Sequence, residues 1–361
     1  MATKPASSGP ESGAVRCCAL LALVAAVGIA SINPLPASAQ SNADYLVYVS
    51  NELSNNLSII DPRIDEVVAT VDVGRRPRGV RVSNDGRFVF VALSGSPRCP
   101  PTMSDEQCES MTADKSLDGI AMVDAASREV VRVLPGGSDP EQFDIAPAVD
   151  RLYVSNEDAD AATIVDIESA SVLMTVAVGR EPEGVKVSPD GAVFLVSSES
   201  DHDVAVVRAD SGEVVRRIEV GLRPRDIVFS ADGSRAFVSA ELGRHIAVLD
   251  TTDWSELSRI PVSATALPMG MAVTADGSKL YVANGRDRTV AEINLTQGTV
   301  IRSTEVGTRP WGIALSPDES HLYVANGPSN DVAVVATETL QVVTHISAGD
   351  SPWGVAIGPR P

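Results

Sequence analysis

From Tyr45 onward the chain alternates between apolar and polar residues in short runs, and each run stops at Gly, Asp, Asn or Pro. Period-two patterning between turn residues predicts β-strands, and no segment carries an amphipathic helical period of useful length. One strand pattern, an aromatic or aliphatic opening with a small polar close, returns seven times. It reads YVSN at Tyr48–Asn51, FVAL at Phe90–Leu93, YVSN at Tyr153–Asn156, LVSS at Leu195–Ser198 and FVSA at Phe237–Ala240, then YVAN at Tyr281–Asn284 and Tyr323–Asn326. Tyr153, Leu195, Phe237, Tyr281 and Tyr323 follow one another at 42 to 44 residues, whereas 63 separate Phe90 from Tyr153.

Each copy reads as four strands. After the anchor comes a run that ends in an acid, such as LSIID at Leu57–Asp61, and then a β-branched run, such as VVATVDVG at Val67–Gly74. A Pro-x-Gly segment follows, such as RPRGVRVS at Arg76–Ser83, and an S-x-D-G turn leads to the next anchor, as at Ser188–Gly191. Self-similar four-stranded units of this length predict an all-β fold, a seven-bladed β-propeller of antiparallel blades. The repeats begin on a second strand (Tyr45–Asn51) and finish on a first strand (Trp353–Ile357), so the two ends are expected to share a blade and close the ring. The long step is an inserted loop, residues 95–117, between the second and third strands of its blade.

The first 39 residues read differently. Lys4 and Arg16 precede an apolar run, Ala19 to Ile32, followed by Pro34, Pro36 and an A-x-A site at Ala37-Ser38-Ala39. This is the pattern of a secretory signal peptide, which leaves residues 40–361 as the propeller and predicts a periplasmic or extracellular protein without a membrane anchor. The formal net charge of −19 becomes one unit more negative without the leader. Such a surface repels phosphate backbones, so nucleic acid is not an expected partner, and the protein is expected to be a monomer. Cys99 and Cys108 are the cysteines outside the leader, they lie in one loop, and a local disulfide is expected between them.

Taken together, YVSNELSNNLSIID, GRRPRGVRVSNDGRFVFVALSGSP, GSDPEQFDI, YVSNEDA, VGREPEGV and NGPSNDVAVV resemble the YVTN-type β-propeller repeat family. The likeness is strongest to exported members associated with quinoprotein (PQQ-dependent) alcohol catabolism. The resemblance implies a seven-bladed propeller outside the cytoplasm, in a family defined by its repeat rather than by a catalytic signature. The tryptophan-docking repeats of quinoprotein dehydrogenases are missing, so PQQ binding is not expected.

Length variation places a candidate site on the face that carries the inserted loop. The residue after the repeat proline recurs there once per blade: Arg78, Glu141, Glu183, Arg225, Met269, Trp311 and Trp353. These open the innermost strands and should ring the mouth of the central channel. A second ring comes from the end of the second strand: Glu52, Ser94, Glu157, Glu199, Glu241, Gly285 and Gly327. Within blades the two rings pair Glu141 with Glu157, Glu183 with Glu199, and Arg225 with Glu241. Adjacent carboxylates repel unless a proton, an arginine or a cation relieves them. Glu141, Glu157, Glu183 and Glu199 are therefore candidate ligands for a divalent cation, candidate acid–base groups, or members of a salt-bridge ring. His202, His245, His321 and His345 fall at dissimilar repeat positions, and no G-x-S-x-G elbow is present.

The leading reading is a binding or scaffold module, accessory to a quinoprotein dehydrogenase system, that presents the mouth to a small molecule or a protein. The alternative is a metal-dependent lactonase- or lyase-like enzyme that uses the mouth carboxylates. A DNA-binding or adhesion role is the third, and the acidic charge weighs against its DNA form. Alkylation and mass spectrometry of non-reduced protein should find Cys99 and Cys108 unlabelled; two alkylated thiols would refute the disulfide. Closing so short a loop should add at most about 3 kcal/mol.

Overall fold

The computed structural model describes residues 43–98, 103, 104, 107 and 111–361. The leader and both loop cysteines lie outside the described residues, so the signal-peptide and disulfide expectations fall outside them too. The described chain forms seven four-stranded antiparallel sheets, the seven-bladed propeller expected from the repeat. Three single-turn 3₁₀ segments, Lys115–Leu117, Glu157–Ala159 and Gly327–Ser329, interrupt the strands. No helix among the described residues is long and apolar enough to cross a membrane.

Blade 1 joins both ends of the propeller. Its innermost strand is Pro352–Pro359, which pairs with Tyr45–Asn51, followed outward by Asn56–Asp61 and Glu66–Asp72. The register runs from Tyr45 opposite Pro359 to Asn51 opposite Pro352. Arg360 extends this seam by donating to Asp61 Oδ1 at 2.7 Å. The Tyr45 and Tyr323 hydroxyls meet at 3.0 Å across the joint with blade 7, the sheet that opens at Pro310. Closure removes the unpaired edges that an open stack of sheets would expose.

The core lies between blades rather than within them. All seven anchor openings, Tyr48, Phe90, Tyr153, Leu195, Phe237, Tyr281 and Tyr323, are buried. Each wedges against a neighbouring sheet, as where the Tyr153 ring lies 4.7 Å from Phe194. Burying a side chain of this size stabilises by about 1.5–3 kcal/mol, so the anchors clamp every joint. The S-x-D-G turns hold themselves. In one, Ser188 Oγ donates to Asp190 Oδ1 at 2.6 Å and Ala192 N donates to the same oxygen at 3.0 Å. Gly191 sits at φ 71°, a left-handed conformation that a side chain would strain.

Deleting residues from Ser351 onward should expose both Tyr45–Asn51 and the free face of blade 7. The truncated protein is expected to aggregate on size-exclusion chromatography. A monomer that melts at the parent temperature would contradict the closure argument.

Candidate functional site

Where the innermost strands converge on the axis, their backbones nearly touch. A Cβ on Gly184 would lie 2.1 Å from the Arg225 carbonyl oxygen, and one on Gly354 would lie 2.6 Å from that of Arg78. At these joints only glycine fits, whereas blades 3 and 5 carry Gln142 and Asp226 at the corresponding place. The serine of the anchor motif fixes the joint. Ser197 Oγ accepts from Gly184 N at 2.9 Å and donates to Arg225 O at 2.8 Å, and Ser155 makes the equivalent bond to Glu183 O at 2.5 Å. The residue between proline and glycine is thereby held at the channel mouth.

The mouth is a cavity of about 490 Å³ lined by Arg78, Glu141, Glu183, Arg225, Trp311 and Trp353 from the first ring and by Glu52, Glu157 and Glu199 from the second. Met269 instead lines a separate cavity of about 310 Å³ further down the channel, and Glu183, Arg225, Trp311 and Trp353 border both. The flanks of the inserted loop, Ser96, Pro97, Arg98, Met111 and Ala113, line the upper cavity, so the loop shares the face of the two rings. Asp118 ties the base of that loop down, accepting from Gly95 N at 2.7 Å and from Asp139 N at 2.9 Å.

The carboxylates gather around two buried arginines. Arg78, in blade 2, reaches into blade 3 and forms ion pairs with Asp139, Glu141 and Glu157, the last at 3.3 Å. Arg225, in blade 5, pairs with Glu241 at 2.7 Å and reaches back to Glu183 at 2.6 Å and to Glu199. Each carboxylate pair read from the sequence, Glu141/Glu157 and Glu183/Glu199, therefore does come together, with a guanidinium in the place a shared metal ion would take. Among the described residues no group of three or more His, Cys, Asp or Glu is arranged to hold a metal ion.

Electrostatics separate these acids. Burial raises the Asp139 carboxyl, but the Arg78 charge and the Ser94 hydroxyl outweigh it, and its pKa is lowered. Burial pulls the Arg225 guanidinium down, while Glu183 and Glu241 more than restore it. Glu157 is the exception. Burial dominates, Arg78 opposes it, the charges of Asp139 and Glu183 add to it, and its pKa is raised to about 7. Its side chain is recessed among protein groups yet remains 37% exposed to cavity water. It is a carboxyl that can exchange a proton near neutrality at the edge of the cavity.

A third ring, absent from the sequence reading, stands just before the repeat proline: Arg76, Asp139, Glu181, Arg223, Leu267, Arg309 and Ser351. All but Leu267 hold a left-handed φ between 46° and 56°. That kink is uncommon for residues with a side chain. Arg76 bonds Glu52 at 3.0 Å and Arg223 bonds Glu199 at 2.6 Å. The sequence signal was available, since arginine recurs before the proline in three blades.

The chain matches the model of the lactonase, seven-bladed β-propeller family over residues 213–347. That stretch includes Arg223, Arg225, Glu241, Arg309 and Trp311, and stops short of Arg78 and its acids. No curated protein matches the chain. Among solved structures, hydrazine synthase of Kuenenia stuttgartiensis superposes with a TM-score of 0.69 at 19% identity, over 86% of this chain and 100% of that one. A functionally unknown protein from Desulfotomaculum acetoxidans gives 0.72 at 20%, over 88% and 99%. A candidate 6-phosphogluconolactonase from Bacteroides uniformis gives 0.70 at 16%, over 87% and 99%. At these identities the likeness is one of fold.

Folded Glu157 holds its proton to about pH 7, against an ordinary value of 4.5. Folding takes up a proton between those values, so stability falls as pH rises through that window. Glu157→Gln should melt with the parent at pH 4 and above it at pH 8.5, by an amount that cavity water reduces. Equal melting temperatures at both pH values would show that the Glu157 environment does not disfavour its charge.

Proposed function

We propose that the protein is a lactone hydrolase that works in the channel mouth. The observation that carries this reading is the position of Glu157, a carboxyl that lines the cavity 3.3 Å from Arg78 and between two arginine-centred acid clusters, where burial raises its pKa to about 7. The partial match to the lactonase propeller family supports the same class. A general base works best when its pKa lies near the operating pH. Ionised Glu157 would take a proton from water as the water oxygen bonds to the lactone carbonyl carbon. Arg76, Arg98 and Arg223 line the cavity and supply positive potential where the tetrahedral oxyanion forms. Collapse breaks the ring C–O bond, and protonated Glu157 returns its proton to the departing alkoxide, leaving an open-chain hydroxy acid. The other acids hold the arginines rigid and need no metal ion to be neutralised. The leader-like first 39 residues support placing this chemistry outside the cytoplasm.

The binding-module reading keeps one specific support. Glu141, Glu183, Glu199 and Glu241 are all fixed on arginine, so that much of the mouth is a preset wall rather than a reacting centre.

A panel of γ- and δ-lactones separates the two. Hydrolysis above background is expected for at least one, with kcat/KM rising to a plateau as pH passes about 7. Glu157→Gln should lower it roughly 100-fold or more, and dialysis against EDTA should leave it unchanged. No turnover across the panel would return the protein to the binding-module class, and full activity in the variant would remove Glu157 from the role of base.

A further inference from the structure

The repeat builds one cross-blade ion pair twice and leaves a third copy half made. Arg76 Nε donates to Glu52 Oε1, and Arg223 Nε donates to Glu199 Oε2; in both the acid stands 24 residues earlier, at the end of the second strand of the preceding blade. Arg309 occupies the same position in blade 7. Its φ of 52° falls between the 46° of Arg76 and the 56° of Arg223, so its backbone is set as theirs is. The residue 24 earlier is Gly285. Among the described residues Arg309 has no carboxylate partner, and its guanidinium lies 5.0 Å from the centre of the Trp311 ring.

The backbone does not demand this glycine. Gly285 is not among the left-handed residues, and a Cβ there would meet Met269 Cγ at 3.4 Å, an ordinary contact. What is missing is a carboxylate, and Arg309 itself lines the cavity of about 490 Å³ together with Trp311 and Trp353. Burial and the nearby positive charge of Arg225 hold the Arg309 guanidinium below its usual pKa, as expected of a cation short of a counter-ion.

We propose that Arg309 is the anchor for the carboxylate of a small organic acid, which takes the seat of the absent glutamate while its planar apolar body lies against Trp311 and Trp353. Those rings stand 5.3 Å apart, and Pro328 and Pro352 extend the same apolar side of the cavity. A carboxylate suits the seat better than a phosphate. The two completed copies hold a single negative charge there, and Glu241 and Glu52 are near enough to Arg309 to repel a second. This inference concerns equilibrium binding and does not depend on the hydrolase reading.

Isothermal titration and tryptophan fluorescence with benzoate, benzamide and inorganic phosphate test it. Benzoate is expected to bind and to perturb the emission, with neutral benzamide at least about tenfold weaker, as befits a charge-assisted pair. Arg309→Gln should weaken benzoate by roughly 10- to 100-fold and leave the melting temperature no lower than the parent's, since it breaks no internal ion pair and removes a charge that burial and Arg225 disfavour. Gly285→Glu should abolish binding by supplying the carboxylate from within, and should raise the melting temperature; Gly285→Ala, which adds only a methyl group, should bind as the parent does. Equal affinity for benzoate and benzamide, benzoate binding unaffected by Arg309→Gln, or no benzoate binding at about 50 mM would each overturn the proposal. Phosphate binding more tightly than benzoate would overturn its carboxylate assignment.

Discussion

Seven strands converge on one axis, and there is no room between them for a side chain at Gly184, Gly312 or Gly354. That steric constraint organises the rest. It brings neighbouring backbones close enough for the anchor serines to bridge them, and it turns the residue ahead of each glycine up to the mouth. It holds only while the ring is closed, so the pairing of Pro352–Pro359 with Tyr45–Asn51 stands behind every contact in the cavity. A functional site built this way belongs to no single blade.

The fold was legible because each of its requirements leaves a local mark. The buried anchors alternate at period two, the turns carry Ser, Asp and Gly at fixed offsets, and the offset between the two ends of the repeat array foretold which strands pair. The rings of Arg78 and Glu157 followed from the same periodicity. Their partners were harder to read. The sequence suggested pairing within a blade, which holds for Arg225 and Glu241. Arg78 and Arg225 also cross to the next blade or back to the previous one, and reach of that kind depends on the wedge angle between sheets, which periodicity does not encode. The third ring went unread for a related reason. Residues ahead of proline are ordinarily extended, and only the left-handed kink brings Arg76, Arg223 and Arg309 over the cavity.

The two arginine clusters illustrate how burial and charge trade against each other. A buried guanidinium with three acids leaves excess negative charge, which is unfavourable in a low-dielectric recess unless one acid is protonated or another cation approaches. Around Arg225 the second cation is Arg223, which also contacts Glu199 and Glu241. Around Arg78 the cost falls on Glu157, where burial first and the charges of Asp139 and Glu183 after it outweigh Arg78 and raise the pKa. A carboxyl with a raised pKa thus arises from a structural network without a dedicated motif, and no sequence signature announces it.

The first ring is divided along a diameter, with Arg78, Glu141, Glu183 and Arg225 on one side and Met269, Trp311 and Trp353 on the other. A sevenfold repeat would otherwise offer an entering molecule seven equivalent headings. Here the sevenfold symmetry of the backbone is cancelled by its side chains, and the rim has one charged half and one apolar half. Differences among the blades have turned a rotor-like frame into one with a fore and an aft, a direction across the axis that the backbone alone does not have.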